Sequence, residues 1–459
     1  MNIIILGAGQ VGSTLAENLV QEDNSITVVD VSVSGLEALQ NRLDIRTVVG
    51  CASHPNVLRQ AGADNADMLI AVTDSDEVNL VASLVAANLF NTPTKIARIR
   101  SPRYLDFQQQ IFGIDRKIVD VFISPEQIVT DHVRRLIENP GALQVLDFAD
   151  EKVRMVAVRA YFGGPLVGKS LLNMKQQFPA LQAQIVAIYR GHRSIALTEH
   201  TVIEIGDEVF IIAPAHQIRE VMSTLRRVES FYKRIIIAGG GNIGERLALG
   251  LEKEYNVKLI EHNLSRTQYL ADTLSKSTVL QGDASDRELL LNENIEFTDV
   301  FCAVTDDDEV NIMSCLQAKR LGAKQVLALI TRTAYVELLE GSSDIDIVIS
   351  PQQATIGSIL THIRRGDIVN VHSLRRGAAE AIEVVAHGDE ETSKVVGRSI
   401  LEIKLPRGAT IGTIIRSNRV IIPQATTVIE SDDHLILFLV DKRQIREVER
   451  LFQVSVTFF

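Results

Sequence analysis

Several things are scarce in this 459-residue chain, and each scarcity excludes something. Long apolar runs are missing: the cleanest, Leu435 to Val440, falls far short of the roughly 20 residues that a membrane span needs. Met1 leads straight into an apolar strand without the pattern of a signal peptide, so the expected compartment is the cytoplasm. Cysteine is rare, and Cys51, Cys302 and Cys315 are odd in number, scattered and without metal-ligand spacing, as a reducing compartment allows. Basic residues are outnumbered, 47 against 58 acidic ones, and the net charge of -11 argues against a nucleic-acid backbone as the main partner. Tryptophan is absent and aromatics make up 5%, but 46% hydrophobic and 23% charged residues are ordinary for a soluble globular protein and exclude disordered and fibrous classes.

The length exceeds what one hydrophobic core serves, and domains of about 100 to 200 residues predict three to four of them. Self-comparison resolves the number, because the two halves align at an offset near 230. Ile4-Ile5-Leu6-Gly7-Ala8-Gly9-Gln10-Val11-Gly12 returns as Ile236-Ile237-Ala238-Gly239-Gly240-Gly241-Asn242-Ile243-Gly244. Ala71-Val72-Thr73-Asp74 with Asp76-Glu77-Val78-Asn79 returns as Ala303-Val304-Thr305-Asp306 with Asp308-Glu309-Val310-Asn311. Ile123-Ser124-Pro125 echoes in Ile349-Ser350-Pro351, and Val167 to Leu171 echoes in Val396 to Ile400. Four collinear matches define a tandem duplication.

Within each copy, short apolar strands alternate with helical periods, the signature of a parallel sheet wrapped by helices. In the first copy strands are predicted near 2–6, 25–30, 46–49, 67–72, 95–99 and 119–123. An amphipathic stretch from Pro125, with Ile128, Val133, Leu136 and Ile137, runs to the Asn139-Pro140-Gly141 break and reads as a linker or a subunit contact. Beyond it the pattern predicts paired strands near 144–149 and 153–161, a helix from about 169, strands near 184–190 and 207–213, and a closing helix to about 227. The fold class is therefore α/β, with two Rossmann-like parallel-sheet domains, each followed by a small α/β domain. The boundaries are 1–123, linker helix 124–142, 143–228, 232–350, linker helix 351–367 and 368–453.

A lone GxGxxG is weak evidence, but both copies follow a β-branched strand and open a helix. Gly7 or Gly239 makes the tight turn, Gly9 or Gly241 admits a pyrophosphate to backbone N–H groups, and Gly12 or Gly244 allows close helix–strand packing. An acid follows the last glycine by 18 residues at Asp30 and by 17 at Glu261, where a ribose-binding carboxylate belongs; it favours NAD(H) over NADP(H). The acidic runs after Thr73 and Thr305 suggest a cation site, but Thr73 with Asp76 has capping-box spacing and an EF-hand pattern is absent, so a cap with nucleotide contact is expected. Arg98, at the end of the fifth strand, faces the ligand edge of such a sheet, and its counterpart is Leu329. Gly163 to Ser170 matches the P-loop expression, yet no Walker B strand follows and the twin, Thr392 to Ser399, lacks the first glycine and the lysine; a strand-to-helix turn is expected. None of the ten histidines recurs at the matching place in the other half, and no hydrolase arrangement is legible, which disfavours the alternative of an NAD-dependent oxidoreductase. A redox-sensing DNA-binding regulator is disfavoured by the acidic charge and the lack of a helix-turn-helix.

On these segments the chain resembles, over its whole length, the RCK (KTN) family of regulatory subunits of bacterial Trk-type potassium uptake systems. The resemblance implies two pairs of RCK N- and C-terminal domains, and no catalysis. It implies binding of NAD(H), with ATP or ADP as the other candidates, and a ring of four chains on the inner face of the membrane beneath a TrkH- or TrkG-like pore. Carried onto matching positions, its nucleotide contacts fall on Gly7, Ala8, Gly9, Gln10, Val11, Asp30, Thr73, Asp74 and Arg98. Those of the second half fall on Gly239, Gly240, Gly241, Asn242, Ile243, Glu261, Thr305 and Asp306.

Overall fold

The computed structural model describes residues 1–20, 24–101, 103–104, 107, 118–191, 193–225, 232–339, 344–363, 368–374, 379–441 and 444–454. The first Rossmann sheet contains β1 (Asn2–Leu6), β2 (Ser25–Asp30), β3 (Arg46–Val49), β4 (Met68–Ala71), β5 (Thr94–Arg98) and β6 (Val121–Ile123) in the order β3-β2-β1-β4-β5-β6, all parallel. Helices α1 (Gln10–Val20), α2 (Val33–Gln40), α3 (Pro55–Gln60) and α4 (Asp76–Leu89) cover it. Covered on both faces, the central strands are apolar at nearly every position, as in the run Ile3-Ile4-Ile5-Leu6, all buried. The order reverses between β1 and β4, and that switch point opens a crevice at the carboxyl ends of the strands.

After β6 comes α5 (Pro125–Glu138), and then a five-stranded antiparallel sheet of β7 (Ala142–Phe148), β8 (Val153–Arg159), β9 (Gln184–Arg190), β10 (Arg193–Ile195) and β11 (Glu208–Pro214), ordered β10-β9-β11-β8-β7. It carries α6 (Leu171–Gln177) and α7 (Ile218–Ser223). The short edge strand β10 escaped the sequence pattern, being too brief to show a period. The helix expected to reach about 227 is described to Ser223, and residues 226–231 lie outside the described residues.

The second half repeats the plan. Strands β12 (Arg234–Ala238), β13 (Asn256–Glu261), β14 (Thr278–Gln281), β15 (Val300–Ala303), β16 (Gln325–Leu329) and β17 (Ile347–Ile349) form a parallel sheet in the order β14-β13-β12-β15-β16-β17. Its helices are α8 (Asn242–Leu251), α9 (Leu264–Thr273), α10 (Arg287–Asn292), α11 (Asp308–Arg320) and α12 (Thr333–Leu339). Helix α13 (Pro351–Thr361) follows; the last part of the expected linker, 364–367, lies outside the described residues. The final antiparallel sheet, β18 (Ile368–Leu374), β19 (Ala379–Ala386), β20 (Ala409–Arg416), β21 (Arg419–Ile421) and β22 (Asp433–Leu439), is ordered β18-β19-β22-β20-β21 and is followed by α14 (Ile445–Phe452).

The connecting helices do more than link. The chain divides into two compact units, and the first is Met1–Ile128 together with Pro351–Ile363. Helix α13, preceded by the second Rossmann sheet, lays Ile356, Ile359 and Leu360 into the core of the first, beside Leu15 and Leu19 of α1. In the other unit Val129, Val133, Leu136 and Ile137 of α5 are buried in one cluster with Leu247, Ala248 and Leu251 of α8. The two halves thus exchange helices. In that same unit the two antiparallel sheets share a core in which Phe210 and Phe438 meet at 5.2 Å between ring centroids. Each of these sheets also holds a wholly buried aspartate by an arginine, Asp207 by Arg190 and Asp433 by Arg416, with Nε to Oδ1 distances of 2.8 Å in both.

Candidate functional site

The crevice of the first half begins where β1 ends. Gly7 has φ +106°, and a side chain there would stand 3.1 Å from the Thr73 backbone, so only glycine lets the two loops approach. At Gly12 a Cβ would lie 1.9 Å from the Gly7 carbonyl oxygen, which is why the helix sits so close to its strand. Gly9 differs from both: nothing lies within 4 Å of where its Cβ would be, and its face is open. The first-turn N–H groups of α1 have no helical carbonyl to bond and carry the positive end of the helix dipole.

Asp30, half-buried at the end of β2, docks onto this loop. Its Oδ2 accepts from the Ala8 N–H at 2.5 Å and its Oδ1 from the Ser32 N–H at 2.7 Å. The carboxylate is thereby fixed in orientation, with lone pairs remaining for ribose hydroxyls. Across the crevice Thr73 donates its N–H and its hydroxyl to Asn79 Oδ1, at 3.0 and 2.7 Å. The wholly buried Asn79 returns its amide hydrogens to the carbonyls of Thr73 and Arg98. One asparagine thus ties the ends of β4 and β5 together. It recurs as Asn311, which bonds Thr305 and the Leu329 carbonyl in the same way. Sequence reasoning used both asparagines only as alignment marks, although an identical asparagine at the same place in both copies was a usable signal.

Arg98 reaches into the crevice and donates from Nη2 to the Thr73 carbonyl at 2.8 Å. Its Nε is buried and has no hydrogen-bond partner among the described residues. Burial, with Arg100 nearby, pulls its pKa below the ordinary arginine value. A cation in this state is completed by an anion. Asp74 stands exposed at the crevice mouth. Gln10 is exposed too, and its side-chain carbonyl accepts from the amide of Gln352 on α13, so the exchanged helix touches the glycine loop directly.

The expected capping arrangement is corrected in detail. Helix α4 is capped by Ser75, which accepts from the Val78 N–H, and α11 by Asp307, which accepts from the Val310 N–H; the threonines are occupied by the asparagines. Asp76 and Asp308 instead accept backbone N–H groups of the loop after the fifth strand: Arg100 and Ser101, and Thr331 and Arg332. In the P-loop-like segment, Ser170 caps α6 and Lys169 bonds Gln177 Oε1 at 3.0 Å.

The second crevice keeps the frame and changes its lining. Gly239 repeats φ +106°, a Cβ at Gly244 would meet the Gly239 oxygen at 1.9 Å, and Gly241 is again open. Glu261 binds the Gly240 N–H at 2.8 Å and the Asn263 N–H at 2.7 Å but is only 7% exposed. The longer acid needs a glycine at 240, where the first copy has Ala8: a Cβ there would lie 2.9 Å from Glu261 Oε2 and 2.4 Å from Leu270. Arg266, at the place of Gly35, donates to the Gly240 carbonyl and pairs with Glu245, which replaces Ser13. Asn242 and Asp306 are exposed, Ile243 is half-buried, and Leu329 provides no charge where Arg98 does.

The fold defines the class: a duplicated Rossmann-type α/β protein with an antiparallel domain after each half. The description TrkA-N domain matches residues 3–120 and 235–351, and TrkA-C domain matches 155–226 and 389–453. The chain is 60% identical to the Trk system potassium uptake protein TrkA of Halomonas elongata and 56% identical to that of Vibrio alginolyticus, each over 100% of both chains. The fold is shared with a solved structure described as the GsuK channel bound to NAD, at 18% identity and TM-score 0.61, covering 98% of this chain and 78% of that one. The chain belongs to the TrkA family of Trk system potassium uptake proteins. It is a regulatory subunit of potassium uptake and not an oxidoreductase. Among the described residues no helix is long and apolar enough to cross a membrane.

Proposed function

We propose that the chain senses NAD(H) through its first-half crevice and converts occupancy into a change of ring geometry that gates a membrane-embedded potassium pore. The observation that carries this reading is the buried, unpartnered Nε of Arg98 facing the same crevice as the open Gly9 loop and the oriented Asp30 carboxylate. An anionic diphosphate would complete the arginine and lie on the first turn of α1, while its ribose would take the free lone pairs of Asp30. Gly7 to Val11, Thr73 and Asp74 would line the rest. The GsuK channel described as bound to NAD supports the ligand class for this fold.

Glu245 and Leu329 stand in the second crevice where the first has Ser13 and Arg98, so Gly239 to Ile243, Glu261, Thr305 and Asp306 form the weaker site. ATP or ADP would compete for the same anion-binding loop. The chain would work as a ring of four on the cytoplasmic face of the membrane, under a TrkH- or TrkG-like translocating subunit. Exposed apolar residues on the outer faces of α4 and α11, Val81, Leu84 and Leu89 with Val310 and Met313, are suited to burial between chains.

Gating without chemistry requires only that the nucleotide bind one ring arrangement better, and a coupling of about 1 to 3 kcal/mol suffices. The test is potassium flux through the reconstituted pore complex, with and without NADH, beside small-angle scattering of the isolated chain. Identical flux and identical ring dimensions in both states would end the proposal.

A further inference from the structure

The end of the second Rossmann sheet away from the glycine-loop crevice holds a cavity of about 360 Å³. It lies among the first residues of β12 and β13 and is lined by Arg234, Asn256, Lys258, Glu293, Phe297 and Thr298. Its volume is at the lower end of the about 300 to 1,000 Å³ usual for small-molecule sites.

The two sheets differ at this end in which strand carries the cation. In the first sheet Arg46 of β3 stands beside Thr27 of β2, and its guanidinium bonds the Gln60 carbonyl at the end of α3. In the second sheet the cation comes from the neighbouring strand: Lys258 of β13 bonds the Glu293 carbonyl at the end of α10, and Thr278 stands where Arg46 did. The cation at this end of the sheet thus comes from β13 in the second half and from β3 in the first, and the shorter Thr278 stands on the edge strand. The remaining lining also differs, with Arg234 for Asn2, Asn256 for Ser25 and Phe297 for Asn65.

Lys258 is committed, since its Nζ also pairs with Glu293 Oε2 at 2.8 Å. Among the described residues the Arg234 guanidinium has no carboxylate partner; it lies over the Phe297 ring at 5.7 Å, and Phe297 is 55% exposed. A guanidinium held on an aromatic face keeps its N–H fork for an anion, and the exposed ring offers a flat apolar surface beside it.

We infer that this cavity is a second ligand site, for a small organic anion whose carboxylate or phosphate pairs with Arg234 and whose planar apolar part lies on Phe297. It is separate from the nucleotide crevice and does not depend on the reading of that crevice. Benzoate and phenyl phosphate are the probes, titrated into the full chain by ligand-observed NMR in the presence of saturating NADH. Binding of either probe is expected, weakened about 10-fold or more by Arg234→Asn and by Phe297→Asn, the residues the first half carries there. Thr278→Arg, which restores the arginine of the first half, is expected to abolish binding by filling the cavity. The two probes separate a carboxylate from a phosphate preference. Absence of binding by both probes, or binding that Arg234→Asn and Thr278→Arg leave unchanged, would overturn the inference.

Discussion

Replacing Asp30 by alanine tests the nucleotide reading most directly. An ionised carboxylate offers about four acceptor positions. In the folded chain Ala8 N–H takes one, Ser32 N–H takes another, and about two remain for the ribose diol. Hydrogen bonds to a charged acceptor contribute about 1.5 to 3 kcal/mol net, so Asp30→Ala should weaken NADH binding by about 10- to 100-fold. The same change at Glu261 should behave differently, because that carboxylate is buried, holds Gly240 and Asn263, and lies under Arg266 and Leu270. There the loss should appear as stability, about 1 to 3 kcal/mol for two backbone donors left unpaired, with NADH affinity changed less than about threefold. Isothermal titration of both variants, paired with thermal melts, separates the two effects. Equal losses of affinity at the two positions would refute the asymmetry argued from the linings. Affinity unchanged in both would refute a ribose-binding role for either acid.

Three further outcomes follow from the geometry. Gly12→Ala should cost at least about 3 kcal/mol, since its Cβ would fall 1.9 Å from a backbone oxygen, whereas Gly9→Ala should melt within about 1 kcal/mol of the wild type yet bind NADH about 10-fold more weakly. Ile359→Ala should destabilise residues 1–128 by about 2 to 4 kcal/mol, read as lost hydrogen-exchange protection in β1 and α1, because this fully buried side chain of α13 is part of their core. Burial, reinforced by the Arg135 charge, depresses His132 and His372 to about 4, below the ordinary 6.5, so the unfolded chain binds more protons between those values. Stability should therefore fall as pH drops from about 6.5 to 4, by about 1 to 3 kcal/mol per histidine after allowance for partial exposure, and a double His→Asn variant should flatten that slope. Glu252 should not add to this decline: burial opposes its ionisation, but the N–H groups of Lys276 and Ser277 and the hydroxyls of Ser275 and Ser277 outweigh it and hold it down to about 2.

Much of the site was legible in one dimension because its determinants are local. The turn at Gly7, the close approach at Gly12 and the distance to Asp30 all lie within one βαβ unit, where chain geometry leaves few alternatives. The duplication made the same residues visible twice. Caps were harder: Thr73 and Asp76 have capping-box spacing, yet Asn79 claims the threonine and Ser75 takes the cap, a choice made by which side chain is buried.

Sequence by itself determined the tandem plan, the parallel sheets with their helices, and the acids and glycines of both crevices, since hydrophobic period and short-range spacing are properties of the chain alone. Tertiary structure alone decided that Ile356 and Ile359 complete a core more than 300 residues upstream, that Arg98 has a buried nitrogen unpaired among the described residues, that Arg266 pairs with Glu245 beside the second glycine loop, and that Arg234 and Phe297 line one cavity. Each of these depends on which surfaces meet across the fold, and an amphipathic helix records only that it needs an apolar partner, not which one.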